Sequence, residues 1–313
     1  MKTLTVFTPA YNRRHTIGRT YESLCRQTCK DFEWLIIDDG STDKTKELCQ
    51  SWIMEETILN CEGGFYGYSK DAQWLCIKYI YKENGGLHTG YNKAIELMQT
   101  EISVCIDSDD YMPDSAVENI IHTWGICHNK HLNVAGIVGL DYYDGKDEAI
   151  GGMFAIENEF IHLMEITPKY GHKGDTKIVC RVDLLKQYWP MPVFEGEKNF
   201  NPFFYYLQID NFYMFYIVNK NFCYVDYQNN GMSANIFNQY KNSPNSFAAL
   251  REEILSQHRL PFLLRLRNAI HFGSSIIFTG NYSRLFQNPS PLLKILAFPV
   301  SLILHLYIRI KAN

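Results

Sequence analysis

The sequence predicts an α/β fold with a mostly parallel central sheet, followed by a helical C-terminal extension. Three observations predict it. Short β-branched or apolar runs alternate with amphipathic helical segments over residues 1–110. Each of those runs stops at a polar or glycine-containing turn. Beyond residue 236 the alternation ends, and helical patterns with basic residues between apolar ones replace it.

The elements follow in order. TLTVFTP (3–9) is a first strand, and residues 16–27 carry Ile17, Tyr21 and Leu24 at helical spacing. FEWLIIDDGS (32–41) is a second strand closed by Asp38, Asp39 and Gly40. STDKTKELCQSW opens with helix-capping residues and continues as an amphipathic helix. Residues 55–73 read as a loop or small insertion. WLCIKYIY (74–81) is a third strand, NGGLHTGYNKAIELM a glycine turn and a helix, and ISVCI (102–106) a fourth strand. That strand runs directly into Asp107, Ser108, Asp109 and Asp110.

Composition bounds the function. The 313 residues suffice for one large domain or two ordinary ones, and 46% hydrophobic residues supply a sizeable core. A formal net charge of −4 gives no basic character directed at nucleic acid. The nine cysteines are odd in number and several fall inside strands, which reads as reduced thiols, not a disulfide framework. The N-terminus enters a strand without the apolar stretch of a signal peptide, so a cytoplasmic protein is expected. His122, Cys127, His128 and His131 fit no zinc spacing and read as ordinary helix residues.

In open α/β sheets, ligands bind at the carboxyl ends of the strands. Pro9 to Asn12, Asp38-Asp39, Asn84 to Gly86 and Asp107 to Asp110 all fall on that edge. Turn chemistry explains an isolated run of aspartates. Three carboxylates within four positions, beside three other polar termini, point instead to a divalent cation. Mg²⁺ or Mn²⁺ takes one or two carboxylates together with substrate phosphates. Neither GxxxxGK[ST] nor GxGxxG is present, so departure of a nucleoside diphosphate from a sugar fits better than phosphoryl transfer from ATP or dinucleotide binding.

The segments TVFTPAYNRRHTI, QTCKDFEWLIIDDGSTDKT, ENGGLHTGYNKAI, CIDSDDYMPD, FEGEK (194–198) and YQNNGMS (227–233) occur in the order found in glycosyltransferase family 2. The chain resembles that family, which has the GT-A nucleotide-sugar-binding fold, and within it the bacterial transferases that build capsule, O-antigen or other surface polysaccharides. The resemblance implies a metal-dependent, inverting transfer from a UDP-sugar to a saccharide acceptor, possibly undecaprenyl-linked. It implies donor contacts from Pro9, Tyr11, Asn12, Asp39, Asn84, Gly85, Gly86, Asn92 and Asp107. Asp107 and Asp109 match the DxD motif that meets ribose and metal, and Asp110 takes either role or orients a neighbour. Leu87 stands where relatives usually carry Lys, which removes a diphosphate contact.

An inverting transfer needs a base for the acceptor hydroxyl. Relatives place an acid just beyond GEK, where this chain has Pro202 and Phe203. Glu197 is the first replacement, with Glu195 and Asp210 behind it. Asp175 and the loop around Gly231 and Ser233 are weaker acceptor-side or lid candidates. A catalytically weak nucleotide-sugar binder is the alternative, and a nucleotidyltransferase the third reading. Residues 1–235 are expected to form the transferase domain, with a donor half to residue 110 and an acceptor half after it. Residues 236–313 are expected to be a membrane-associated extension. Residues 292–308, flanked by Arg284, Lys294, Arg309 and Lys311, read as an in-plane anchor at the inner face of the cell membrane or as a buried packing helix.

Overall fold

A computed structural model describes residues 2–130, 133–226, 235–257 and 259–312. The four expected strands are β1 (Leu4–Ala10), β2 (Phe32–Asp38), β5 (Cys76–Tyr81) and β6 (Ile102–Cys105). They run parallel in the order β5-β2-β1-β6. The helices between them are α1 (Ile17–Cys25), α2 (Thr45–Ser51) and α3 (Leu87–Leu97). Alternation of side chains across β1 sends Leu4 and Val6 toward Ile17, Tyr21 and Leu24 of α1, and Phe7 toward Ala94 and Met98 at α3.

Two expectations are refined. Residues 55–73 are not a plain loop. They form β3 (Leu59–Cys61) and β4 (Gly64–Tyr68), an antiparallel hairpin that extends the sheet beyond β5. Gly64 allows this pairing, since a Cβ there would lie 1.9 Å from the Tyr79 carbonyl oxygen. The complete sheet is also mixed. Among the described residues it has ten strands, ordered β3-β4-β5-β2-β1-β6-β9-β7-β10-β8. After α4 (Ala116–Lys130) come β7 (Val134–Tyr143), β8 (Glu159–Ile161), α5 (Ile166–Tyr170) and β9 (Thr176–Arg181). β9 inserts antiparallel between β6 and β7. Then follow α6 (Val182–Gln187), α7 (Phe203–Asp210) and β10 (Met214–Val225), the last parallel to β7. Cys127 is buried in the core beneath α4 and His128 packs on Trp124, while His131 lies outside the described residues. All nine cysteines are free thiols.

The C-terminal segment is helical: α8 (Ile236–Asn242), α9 (Pro244–Ser256), α10 (Phe262–Thr279) and α11 (Pro291–Lys311). At about 100° per residue, Lys294, Ala297, Ser301, His305 and Ile308 fall on one side of α11 and are buried. Leu292, Leu296, Ile303, Leu306 and Ile310 fall on the opposite side and are exposed. The two readings of residues 292–308 therefore describe two faces of one helix. Lys294 does not face outward as expected. It is 0% exposed, 3.0 Å from Glu252, and donates to the carbonyls of Arg284 and Gln287. Arg284 is likewise paired with Glu252, at 2.5 Å. Burial of these cations is compensated by charge and by backbone oxygen.

Glu197 ties this helical segment to the domain before it. Its carboxylate accepts from Asn245 N (2.8 Å), Asn245 Nδ2 (2.9 Å), Ser246 N (2.7 Å) and Ser246 Oγ (2.6 Å). These amides are orphan donors of the first turn of α9, and a negative charge there also suits the helix dipole. Glu197→Gln should therefore lower folding stability by about 1–3 kcal/mol, since one acceptor becomes a donor facing donors. Urea denaturation checks this, and an unchanged midpoint would show that the contact contributes nothing.

Candidate active site

The carboxyl edge of the parallel strands brings the expected polar turns together. The Asp39 amide donates to the Ala10 carbonyl at 2.8 Å, which closes the turn after β2 onto the end of β1. Asn12 has φ 53 and is stitched to the same turn: its amide donates to Ser41 Oγ, and its Oδ1 accepts from Thr42 N, both at 2.8 Å. Asp38 is buried, accepts from Ser41 N at 2.7 Å, and is bonded by the Tyr79 hydroxyl.

Asp39 organises the next turn. Its oxygens accept from Gly85 N (2.9 Å), Gly86 N (2.8 Å) and the Lys82 ammonium, and Asn84 Nδ2 donates to its carbonyl at 2.7 Å. Gly86 has φ +94, and a Cβ on it would lie 1.9 Å from the Lys198 carbonyl oxygen. Only glycine fits that position. Lys198 Nζ in turn donates to Asn84 Oδ1 at 2.7 Å. The loop before α7 is thus seated directly on the glycine turn.

Several expected donor residues have other employment. Pro9 is buried within β1, opposite Ile37 and against Gly90, and offers no surface to a nucleobase. Asn92 bonds Met191 through both its amide nitrogen (2.9 Å) and its oxygen (3.0 Å), and its oxygen also accepts from the Tyr205 hydroxyl. It fastens the segment after α6, and both bonds to Met191 hold it there. Tyr11, by contrast, is 50% exposed.

The acidic turn after β6 opens into a cleft of about 430 Å³, whose walls include Leu87, Asp107, Asp110, Asp141, Asp175 and Lys177. Asp107 is exposed and Asp109 half-buried. Among the described residues no ion pair reaches either one. Burial and the Asp107 charge push the Asp109 carboxyl above its usual range. Asp110 is buried, 3.8 Å from Lys177 Nζ, and burial pushes its carboxyl up to about 8 despite that ammonium, with Asp107, Asp109 and Asp141 adding to the rise. Asp141 lies 3.5 Å from the same ammonium and is pushed up to about 6, chiefly by burial. Burial would depress Lys177, but Asp141 and Asp110 are among the charges that hold it well above the ordinary lysine value. Sequence reasoning missed Lys177 and Asp141. Both lie inside strands, and only the antiparallel insertion of β9 beside β7 brings them together.

The base candidates diverge. Glu197 is committed to α9. Asp210 is 0% exposed and accepts from Leu163 N (2.6 Å) and Met164 N (3.2 Å), which holds α7 against the segment after β8. Glu195 is exposed and is not among the residues that line the cleft. Pro202 and Phe203 do line it. Gly231 and Ser233 lie outside the described residues.

A parallel core, a cleft at its carboxyl edge and an acidic turn at the end of β6 define an α/β protein of the GT-A type. The chain belongs to the family described as "Glycosyl transferase family 2", whose sequence profile matches residues 5–189. One relative is the Escherichia coli protein WfaP, a UDP-Glc:α-D-GlcNAc-diphosphoundecaprenol β-1,3-glucosyltransferase. It is 30% identical over 155 residues, which cover 50% of this chain and 52% of that protein. Another is the glycosyltransferase GlyA of Streptococcus pneumoniae serotype 4, 29% identical over 118 residues, 37% of this chain and 14% of that protein. The matched regions are thus about half of one relative and far less of the other. Among solved structures, S. aureus TarS 1-349 in complex with UDP-GlcNAc superposes with a TM-score of 0.59 at 18% identity, covering 98% of this chain and 81% of that one. The mannosyltransferase PcManGT of Pyrobaculum calidifontis, in complex with GDP-Man and Mn²⁺, gives 0.52 at 16% identity, with 99% and 82% covered. These likenesses establish the fold.

The Asp110 carboxyl makes stability depend on pH. Its folded value of about 8 lies above the unfolded value of about 3.9. From roughly pH 4 to pH 8 the folded chain holds a proton that the unfolded chain has released, so stability falls as pH rises through that window. Asp110→Asn removes this penalty. In EDTA, its melting temperature relative to the parent should climb between pH 5 and pH 9. A difference independent of pH would contradict the assignment.

Proposed function

We propose that the protein is an inverting glycosyltransferase that moves a sugar from a UDP-sugar to a saccharide acceptor, lipid-linked, in the synthesis of a bacterial surface polysaccharide. The observation that carries this reading is the cleft at the end of β6, which Asp107 lines, with Asp109 two residues on in the same acidic turn and neither in an ion pair among the described residues. Family membership supports the reaction class. The UDP-sugar follows from the donors named for WfaP and for the TarS complex, and the diphosphoundecaprenol acceptor from WfaP.

Tyr11 offers its ring to the uracil. Asp39 holds Lys82, Gly85 and Gly86 in the shape that receives the nucleoside. Among the described residues no three acidic, histidine or cysteine side chains form a ready metal cluster. Two carboxylates completed by substrate phosphates are nevertheless the usual holding for Mg²⁺ or Mn²⁺, and Asp109 with Asp107 fits that description. A bound divalent cation there would neutralise charge on the departing diphosphate.

We also place the protein at the cytoplasmic face of the membrane. The helix Pro291–Lys311 is long and apolar enough to cross a bilayer by composition, but one face of it packs on α10 and its neighbours. That suits an in-plane position, with the outer stripe in the lipid interface. No Asp or Glu occurs after Glu253 in the sequence, whereas Arg267, Arg309 and Lys311 remain outside any ion pair among the described residues. An anionic surface would receive them at about 1 kcal/mol each.

Two experiments test these readings. Asp109→Asn should weaken Mn²⁺-dependent UDP binding in calorimetry at least tenfold and leave metal-free binding unchanged; equal Mn²⁺ enhancement in both proteins would exclude Asp109 as a ligand. For the membrane, Leu296→Glu with Ile303→Glu should abolish flotation with anionic vesicles, because each apolar side chain contributes roughly 1.5–3 kcal/mol in the interface. The melting temperature should stay constant, since both residues face outward. Undiminished flotation would place the contact elsewhere.

A further inference from the structure

The acceptor hydroxyl needs a base, and the three acids expected from the sequence do not supply one to the cleft. Glu197 and Asp210 spend their oxygens on backbone amides, and Glu195 lies off the cleft wall. The carboxylates that do line the cleft are Asp107, Asp110, Asp141 and Asp175. Asp107 belongs to the donor turn. Asp110 and Asp141 are buried against Lys177.

Asp175 is set apart by where it sits. It is exposed, yet it lines the cleft together with Asn201, Pro202 and Phe203, the start of the helix from which an acid is missing. Its position is also fixed. A Cβ on Gly174 would lie 1.6 Å from the Ile150 carbonyl oxygen, and one on Gly151 would lie 2.3 Å from Gly174 N. The two backbones therefore pack directly on each other immediately before Asp175. Immediately after it, Thr176 enters β9 in register with Leu140 of β7. A backbone held on both sides of the residue suits proton transfer, where placement matters before basicity.

We infer that Asp175 is the general base of the transfer reaction, an assignment that rests on the glycosyltransferase reading above. The acceptor oxygen attacks the anomeric carbon of the donor sugar. The bond from that carbon to the β-phosphate oxygen breaks, its electron pair leaves with UDP, and the acceptor proton passes to the Asp175 carboxylate. The sugar arrives with inverted configuration, and no further reactant is needed.

The test compares parent and Asp175→Asn with UDP-glucose and UDP-N-acetylglucosamine, Mn²⁺, and N-acetylglucosamine diphosphate carried on a short synthetic lipid. UDP release gives kcat and the donor KM, and calorimetry with UDP reports the donor site. The inference expects kcat to fall about 10²–10⁴-fold, the usual worth of a general base, with donor KM, UDP affinity and melting temperature unchanged. Transfer within twofold of the parent would overturn it. So would a loss of UDP affinity that matches the loss of kcat, because Asp175 would then be a donor contact. A parent protein that binds UDP but releases none from either donor would overturn the transfer reading itself, and the base with it.

Discussion

Carboxylates crowded at one sheet edge must each find a donor or a cation, and the outcome of that requirement divides the molecule into scaffold and site. Asp38 is answered by Tyr79 and Ser41, and Asp39 by Lys82, Gly85 and Gly86. Asp110 and Asp141 share Lys177. Each of these answers also holds two loops together, because buried charge is tolerated only where its partners are fixed. Asp107, which accepts from the Cys105 thiol at 3.8 Å, lines the cleft, and among the described residues neither it nor Asp109 takes part in an ion pair.

The same requirement explains the loop before α7. Lys198 reaches back to Asn84 at the glycine turn, and its carbonyl presses on Gly86. Its neighbour Glu197 reaches the other way, to the first turn of α9. One short segment therefore fixes the glycine turn and the helical extension to each other. A charge that the sequence offered as a catalyst is consumed in joining two parts of the chain.

Much of this was legible in the sequence, and the failures have a common cause. The four parallel strands and α1 to α3 were legible because their apolar periods and turn residues are local. The hairpin at residues 59–68 was hidden because β3 has only three residues and β4 only five, two of them glycine, too few to show a strand period in the sequence. The insertion of β9 between β6 and β7 could not be read, since antiparallel pairing over such sequence distance leaves no local pattern. At the site, residue type was informative and accessibility was not. Pro9, Asn92, Glu197 and Asp210 have suitable chemistry for ligands or catalysis, but each is engaged by neighbours remote in sequence. Lys294 and Arg284 follow the same rule in the extension: counted as surface cations, both are drawn to Glu252.

Two departures from the family pattern meet in the cleft. The lysine expected after the glycine turn is Leu87, and the acid expected beyond GEK is replaced by Pro202 and Phe203; all three line the cleft wall with apolar groups. The start of β9 presents one cation and one acid to the same cavity, Lys177 and Asp175. Lys177 compensates Asp110 and Asp141 from within. Asp175 supplies a carboxylate without requiring one at the start of α7, whose first turn is left free to pack Phe204 and Tyr205 into the core. In this arrangement a cation and an exposed acid of the cleft both come from the start of an antiparallel strand, an element without a local pattern in the sequence.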